Sequence, residues 1–330
     1  MLARVADSIY WMSRYVERAE NVARFIEVNL NLMLDLPAGA AQQWQPLVAT
    51  TGDSEEFAKH YDTATQQNVI QFLTFDEENV NSIRSCLRLA RENARSVREI
   101  ISSEMWEHLN EFYLRVNSAE AGSRTDPQDL LRSIKRSGHL FTGVTDATMT
   151  HNESWHFCQL GCMLERADKT SRILDVKYFL LLPTAADVGT TSDDIQWAAV
   201  LRSASAFEMY RKCHGRIAPE RVVEFLLFET EFPRAMQYCL QRARTSVHAI
   251  SGTPAGMFRH PVERLFAELC SELAYARVES IIAAGLHEYL DRLQTRINQI
   301  GTEISETFFA ARGTPARKKA RGRRTAAPSV

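Results

Sequence analysis

Apolar residues recur every three or four positions through long stretches without proline, and this spacing predicts α-helices. One such stretch runs from about Leu2 to Asp35, and another begins at residue 153 and ends at Pro183. No segment alternates apolar and polar residues between Gly or Asn hairpin turns, so we expect no β-sheet. The pattern therefore predicts an all-α protein, a multi-helix bundle.

Start signals divide the remaining chain into shorter helices, because Asp and Ser cap helices and Pro suits a first helical position. We expect these helices to begin near Asp53, Asp76, Met105, Pro127, Asp193, Pro219, Pro233 and Pro261. The helix that Asp76 caps is expected to continue through Ile101. The helix from Asp193 is expected to continue through Tyr210.

One charged pattern occurs in both long helices. Glu17-Arg18-Ala19-Glu20 is followed by Arg24, and the same charges return 148 residues later. On a helical wheel of about 100° per residue, the charged residues fall opposite the apolar side in both copies. The candidate charged site consists of Glu17, Arg18, Glu20, Arg24, Glu165, Arg166, Asp168 and Arg172.

Two interpretations of these faces remain open. A solvated face laced with ion pairs three or four residues apart stabilises a helix by only tenths of a kcal/mol per pair. A face covered by other helices must have its charges paired, because an unpaired buried carboxylate costs several kcal/mol. A length of about 30 residues suits a central helix, so we expect covered faces, with Ala19 and Ala167 in one core.

The pattern E-R-A-[DE]-x3-R-x2-[DE]-V is similar to the signature of the alpha-E family, a bacterial all-helical domain with a Glu-Arg motif. The resemblance covers most of the chain and extends to the segments at 92–95, 103–106 and 232–234. It implies a place beside circularly permuted ATP-grasp ligases and transglutaminase-like enzymes. These two kinds of partner imply a role in forming or processing amide bonds.

The similarity between the two parts of the chain is wider than the motif. At an offset of 153 residues Trp44 matches Trp197, and the apolar positions between residues 69 and 91 match those between 222 and 244 without a gap. We therefore predict a tandem duplication, with halves of about 1–150 and 151–311 in one helical domain.

Charge is distributed unevenly along the 330 residues, whose formal net charge is −2. Residues 312–330 contain seven of the 39 basic residues and no acid, so 32 basic residues face 41 acidic ones before them. This basic C-terminal tail is predicted to be disordered. It has no interleaved aromatic residues for base stacking, so nucleic-acid binding is not favoured. The other interpretation is a flexible tether to an acidic surface.

Localisation follows from what the chain lacks. Its first residues are too polar for a signal peptide, and no apolar run reaches about 18 residues, so we expect a cytoplasmic protein without a membrane span. The six cysteines are then expected to be reduced thiols. The oligomeric state is not indicated.

No metal site is predicted. Cys158 and Cys162 beside His156 lack the second pair of ligands that zinc needs. The carboxylates of the candidate site could hold Mg²⁺ through oxygen ligands. Interhelical ion pairing is nevertheless favoured, because an Arg lies among the carboxylates on the charged face of each helix.

A third charged segment contains the secondary candidates Glu92, Arg95 and Arg98, beside Arg91. Guanidinium groups bind carboxylates and phosphates bidentately, so an anionic partner is one interpretation. A solvated helix face is the other.

The function expected first is that of a helical component of an amide-forming or peptide-modifying system. No Walker loop or Rossmann fingerprint is present, and an ATP-grasp catalytic domain needs sheets, so ATP would be bound only by a partner. No cofactor is predicted for the chain itself.

One alternative is a stand-alone enzyme with a Glu/Arg acid–base and anion-binding site, which predicts that both charged faces meet in a pocket. The other is a purely structural interaction scaffold, with the charged faces spread over the outer surface.

Overall fold

The computed structural model describes residues 1–35, 44–119, 126–180 and 191–310. Regular secondary structure within these ranges is entirely helical and includes no strand, which confirms the all-α multi-helix prediction. The basic tail lies outside the described residues, so its disorder stays a prediction. None of the helices in the described part of the chain is both long and apolar enough to cross a membrane.

Fifteen α-helices follow one another along the described residues. They are α1 (Ala3–Asp35), α2 (Gln45–Thr51), α3 (Ser54–His60), α4 (Gln66–Thr74), α5 (Ile83–Ser96), α6 (Ser103–Ser118), α7 (Pro127–Thr148), α8 (Glu153–Leu180), α9 (Thr191–Ser203), α10 (Phe207–His214), α11 (Pro219–Phe228), α12 (Met236–Ser251), α13 (Pro261–Tyr275), α14 (Val278–Ala284) and α15 (Leu286–Ile304). A single π-helical turn, Ser305–Phe309, extends α15.

The two long helices α1 and α8 lie side by side and run in the same direction. Contacts advance together along both, from the Met1 amine and the Glu153 carboxylate, 3.1 Å apart, to the pairing of Glu17 with Arg166. Between these points a side chain at Gly161 would overlap the Tyr10 carbonyl oxygen, so the backbones approach closely there. The parallel pair forms the centre of the bundle.

Other helices cover the central pair on several sides. Helix α1 packs against α5, α7 and α9, while α8 packs against α12, α15 and α2. Ala19 and Ala167 are fully buried in one continuous apolar core, as expected. Glu17 and Arg24 on the charged side of α1 are each only 5% exposed, so the charged face is covered as well.

Three helices of the second half follow three of the first at a constant offset. The pairs α3 and α10, α4 and α11, and α5 and α12 each begin 153 residues apart, and Trp44 and Trp197 are both buried. The correspondence agrees with the offset found in the sequence. A common origin of the halves stays a prediction.

The helix predicted from Asp76 begins later and ends earlier than expected. The carboxylate of Asp76 accepts a hydrogen bond from the backbone of Glu78 in a turn. The Ser82 hydroxyl caps α5 instead, by accepting from the backbone of Ser85. The helix that begins there ends at Ser96 rather than Ile101. The short polar side chains between Asp76 and Ser82 form local turns that compete with the helix.

Three other boundaries also differ from the prediction. The helix expected from Asp193 is broken between α9 and α10, where Ser205 has a φ of 52°. Pro233 does not start a helix, because α12 begins at Met236 after a turn. The last region divides into α13, α14 and α15, and the second break lies at Gly285, with a φ of 108°.

Candidate functional site

The two Glu-Arg motifs bind each other across the α1–α8 contact. Arg166 donates from Nε to Oε1 of Glu17 over 2.9 Å and from Nη2 to Oε2 over 2.8 Å. Arg18 donates from Nε to Oε1 of Glu165 over 2.6 Å and from Nη2 to Oε2 over 3.0 Å. Each motif therefore supplies the bidentate partner of the other. We call these four residues the Glu-Arg cluster.

Further cations surround both carboxylates of the cluster. Arg14 donates from Nε to Oε2 of Glu165 over 2.9 Å, and Lys169 lies 3.8 Å from the same carboxylate. Arg234, which precedes α12, donates from Nη1 to Glu17 over 2.9 Å and from Nη2 to Glu20 over 2.8 Å. Every carboxylate oxygen of the cluster thus faces a cation.

These charges hold both glutamates of the cluster in the ionised form. Burial by itself would raise the pKa of Glu17, but Arg166 and Arg234 outweigh burial and hold that pKa well below its usual value. Burial likewise opposes ionisation of Glu165, which is 0% exposed. Arg18, Arg14 and Lys169 nevertheless hold its pKa well below the usual value. Neither carboxyl can exchange a proton readily near neutral pH.

The remaining candidate residues form ion pairs within their own helices. Arg24 pairs with Glu20, and Arg172 donates from Nε to Oδ2 of Asp168 over 2.9 Å. Burial, together with the charge of Arg234, lowers the pKa of Arg24 to about 9.

Each of these arginines also reaches a loop of the other half. Arg24 donates to the Ser205 hydroxyl, and the guanidinium of Arg172 lies over Gly52. Gly52 and Ser205 are 153 residues apart, and both have positive φ values, of 85° and 52°. The charged pairs therefore tie the two halves together at equivalent positions.

Two small cavities between α1 and its neighbours reach Glu17. One, of about 10 Å³, is also lined by Glu20, His139 and Arg234. The other, of about 20 Å³, is lined by Phe141 and Cys162 among others. The thiol of Cys162 donates to Oε2 of Glu17 over 3.3 Å, and burial raises its pKa, so it stays protonated.

His139 marks the place where this charged region reaches the surface. Its side chain is 62% exposed and lies 3.4 Å from the carboxylate of Glu20. Partial burial, followed by the charges of Arg24 and Arg234, lowers the pKa of His139, so the imidazole is neutral at pH 7.

The secondary candidates lie elsewhere. Glu92 and Arg95 pair with each other over 2.9 Å on the exposed side of α5, and Arg98 stacks over Trp106 with 4.8 Å between its Cζ atom and the ring centre. Within the described ranges, none of the ion pairs or hydrogen bonds of these three residues reaches the Glu-Arg cluster.

Metal binding would have to compete with these ion pairs. No group of three or more His, Cys, Asp or Glu side chains in the described residues is arranged to hold a metal ion. The carboxylates of Glu17, Glu20, Glu165 and Asp168 each face at least one guanidinium, which a cation would have to displace.

Comparison with known proteins gives one family and several longer relatives. The family model Alpha-E, described as a predicted alpha-helical domain with a conserved ER motif, matches residues 1–309. Uncharacterized proteins from Mycobacterium bovis and from one strain of Mycobacterium tuberculosis are 23% identical over 334 aligned positions, and one from a second strain of M. tuberculosis is 22% identical. The alignments cover 93% of this chain but 36% of each relative, so the chain spans about a third of their length. No solved structure matches the chain.

Proposed function

The chain belongs to the alpha-E family, and we propose that it is a helical component of an amide-bond-forming or peptide-modifying system that works with an ATP-grasp-type partner. The chain itself binds no ATP in this proposal. A circularly permuted ATP-grasp protein and a transglutaminase-like protein are the partners that the family resemblance implies. The observation that carries the proposal is the closed, fully paired Glu-Arg cluster.

A closed cluster suits a rigid component better than a catalyst. General acid–base catalysis needs a group whose pKa lies near the working pH. Neighbouring cations hold the pKa values of Glu17 and Glu165 well below that range. The guanidiniums of Arg18 and Arg166 are already occupied by these carboxylates, so they are not free to bind a substrate anion.

The relatives also support the role of a component. Each aligns with this chain over 36% of its own length, so each contains a region like this one together with other sequence. A domain that is one part of a longer protein suits a role that is completed by other domains or chains.

The stand-alone enzyme is the second candidate, because the two charged faces do meet and two cavities reach Glu17. Glu17 would have to take up and release a proton in that reaction, although Arg166 and Arg234 stabilise its ionised form. The scaffold alternative is less favoured, since it predicts charged faces on the outer surface and Glu165 is 0% exposed.

We place the contact with a partner or charged substrate group at the His139 end of the charged region. His139 is the exposed member of the group that contains Glu20 and Arg24. The Nε of Arg24 is buried and has no hydrogen-bond partner among the described residues. An acceptor from a partner could satisfy that donor, which otherwise remains unpaired.

Reconstitution with the partner tests the proposal. The chain is purified from its native host together with any ATP-grasp protein, and ATP-dependent amide formation is followed by phosphate release and mass spectrometry. We expect product only when both proteins are present. Amide formation by the partner alone at the same rate, or by this chain alone, would contradict the proposal.

A matched pair of variants tests the place of contact. His139→Ala should reduce product formation at least severalfold, while His151→Ala should not, since His151 is similarly exposed but stacks on Trp155. Equal activity of the two variants would remove the His139 end from the proposal and leave the component role to the reconstitution experiment.

A further inference from the structure

A separate pocket lies between the end of α13, helix α14 and the first turns of α15. Its volume is about 380 Å³, at the lower end of the range of small-molecule sites, and it is open to solvent. Its lining includes Tyr275, Arg277, Ser280, Ile281, Tyr289 and Arg292, and none of its lining residues is acidic. The Glu-Arg cluster contributes no residue to it.

One of the residues that line the pocket has a buried hydrogen-bond donor without an acceptor. Tyr289 is 5% exposed, and its hydroxyl has no hydrogen-bond partner among the residues that the structure describes. Burial, and secondarily the charge of Glu272, raises the pKa of this hydroxyl, so it keeps its proton at neutral pH. A buried donor left unpaired is costly and needs an explanation, which a ligand oxygen would supply.

Two guanidinium groups line the same pocket with little local compensation of their charge. Arg292 lies over the Tyr289 ring, 5.8 Å from its centre, and forms no ion pair within the described ranges. Arg277 has its nearest carboxylate, Glu279, 3.9 Å away, and both side chains are largely exposed. Such a loose exposed pair is worth little, so both arginines are available to an anion.

Apolar and aromatic atoms complete the lining. Ile281 and the side chains of Ala276 and Ala284 provide an aliphatic wall. Tyr275 is 87% exposed, which is unusual for a large aromatic side chain. The pocket therefore combines donors and positive charge with a surface that suits an apolar body.

We propose that this pocket binds a small ligand in which an oxyanion, a carboxylate or a phosphate, is carried on an aromatic or aliphatic body. The oxyanion lies between Arg277, Arg292 and the Tyr289 hydroxyl, because guanidinium and hydroxyl groups donate to such oxygens. The apolar body packs against Ile281 and Tyr275. The site is independent of the proposed partner contact at His139.

Binding of three simple probes to the full chain tests the proposal. Benzoate and phenyl phosphate carry the two oxyanions on the same ring, and benzyl alcohol is the neutral control. Titration calorimetry should show saturable binding of at least one anion and at least about tenfold weaker binding of the alcohol. The anion that binds more tightly shows whether the site prefers a carboxylate or a phosphate. Absence of saturable binding by both anions would overturn the proposal.

Variants locate the binding within the molecule. Arg292→Gln and Tyr289→Phe should each weaken anion binding, by about tenfold for the loss of the charge. Arg242→Gln is the matched control, because Arg242 lies 5.7 Å from the centre of the Tyr238 ring in the same kind of stack but away from the pocket. Equal affinities of the Arg292 and Arg242 variants would assign the binding to another surface. Circular dichroism of each variant separates lost binding from lost folding.

Discussion

Glu165 shows how far the central charges depend on one another. Its carboxylate is 0% exposed and accepts hydrogen bonds from Arg14 and Arg18, with Lys169 at 3.8 Å. These cations are themselves largely removed from water. Loss of the negative charge would leave them together in a medium of low polarity, where repulsion and desolvation are least screened.

Replacing Glu165 with Gln is expected to lower the free energy of unfolding by about 3 kcal/mol or more. The amide keeps the shape of the side chain but not its charge, so the loss measures the electrostatics of the pair. Urea denaturation gives the value. Glu111→Gln is the control, since Glu111 forms an exposed pair with Arg115, and its change should stay within about 0.5 kcal/mol. Similar losses in the free energy of unfolding for both variants would show that burial of the cluster does not determine the contribution of Glu165 to stability.

Acid should destabilise the fold through the same carboxylates. The pKa values of Glu17, Glu165 and Asp168 are lowered in the folded state, whereas the unfolded chain has values near about 4. Below about pH 5 the unfolded state therefore binds more protons, so stability is full above that pH and is lost as the pH falls. Denaturation curves recorded between pH 7 and about pH 3 should show this loss. Glu165→Gln should show a shallower dependence, and curves of equal steepness would contradict the assignment.

The sequence indicates which residues belong to the site, but it does not indicate which of them form ion pairs with one another. Glu17, Arg18, Glu165 and Arg166 stand out because the same charges recur in two helices. Arg14 does not stand out, since Cys162 occupies the equivalent position in the second copy. Which Arg pairs with which Glu depends on the packing of α1 against α8, and a single helical wheel contains no information about that contact.

At the scale of helices, the contact between α1 and α8 depends on a residue without a side chain. A Cβ atom at Gly161 would overlap the carbonyl oxygen of Tyr10, which is backbone and cannot rotate away. Gly143 in α7 offers a comparison, because it is also helical but has open space around it.

Alanine at these two glycines should therefore change stability in opposite directions. Gly161→Ala is expected to lower the free energy of unfolding by about 3 kcal/mol, because the helices must separate or shift. Gly143→Ala should raise it by up to about 1 kcal/mol through helix propensity. Thermal denaturation of both variants provides the measurement. A stabilising effect at Gly161 would mean that the two backbones are not in contact.

Helix ends are harder to predict than helices, for both local and long-range reasons. The prediction from Asp76 is wrong because the side chains of Asp76 and Asn79 each accept a hydrogen bond from the backbone two residues on, in turns that precede the Ser82 cap. The break at Ser205 carries no Gly or Pro signal. Its left-handed backbone is accompanied by the hydrogen bond from Arg24, a residue 181 positions away, which no local pattern can indicate.

At the scale of the whole molecule, each half completes the other. Glu17 in the first half is neutralised by Arg166 and Arg234 from the second. Glu165 in the second half is neutralised by Arg14 and Arg18 from the first. The apolar core is likewise continuous across α1 and α8. Neither half can bury its central carboxylate favourably alone, because the guanidinium groups that bind each carboxylate bidentately come from the other half.

The chain cut between Thr150 and His151, in the turn between α7 and α8, should consequently behave as an obligate pair of fragments. Neither fragment alone is expected to unfold cooperatively, whereas a 1:1 mixture should recover helical circular dichroism and sediment as a complex. Introducing Glu165→Gln into the second fragment should weaken association by at least about a hundredfold, the equivalent of the roughly 3 kcal/mol at stake. Glu111→Gln in the first fragment should leave association unchanged. If either fragment unfolded cooperatively by itself, its central carboxylate would have to find compensation within its own half, and the exchange of Glu-Arg pairs could not be what unites the molecule.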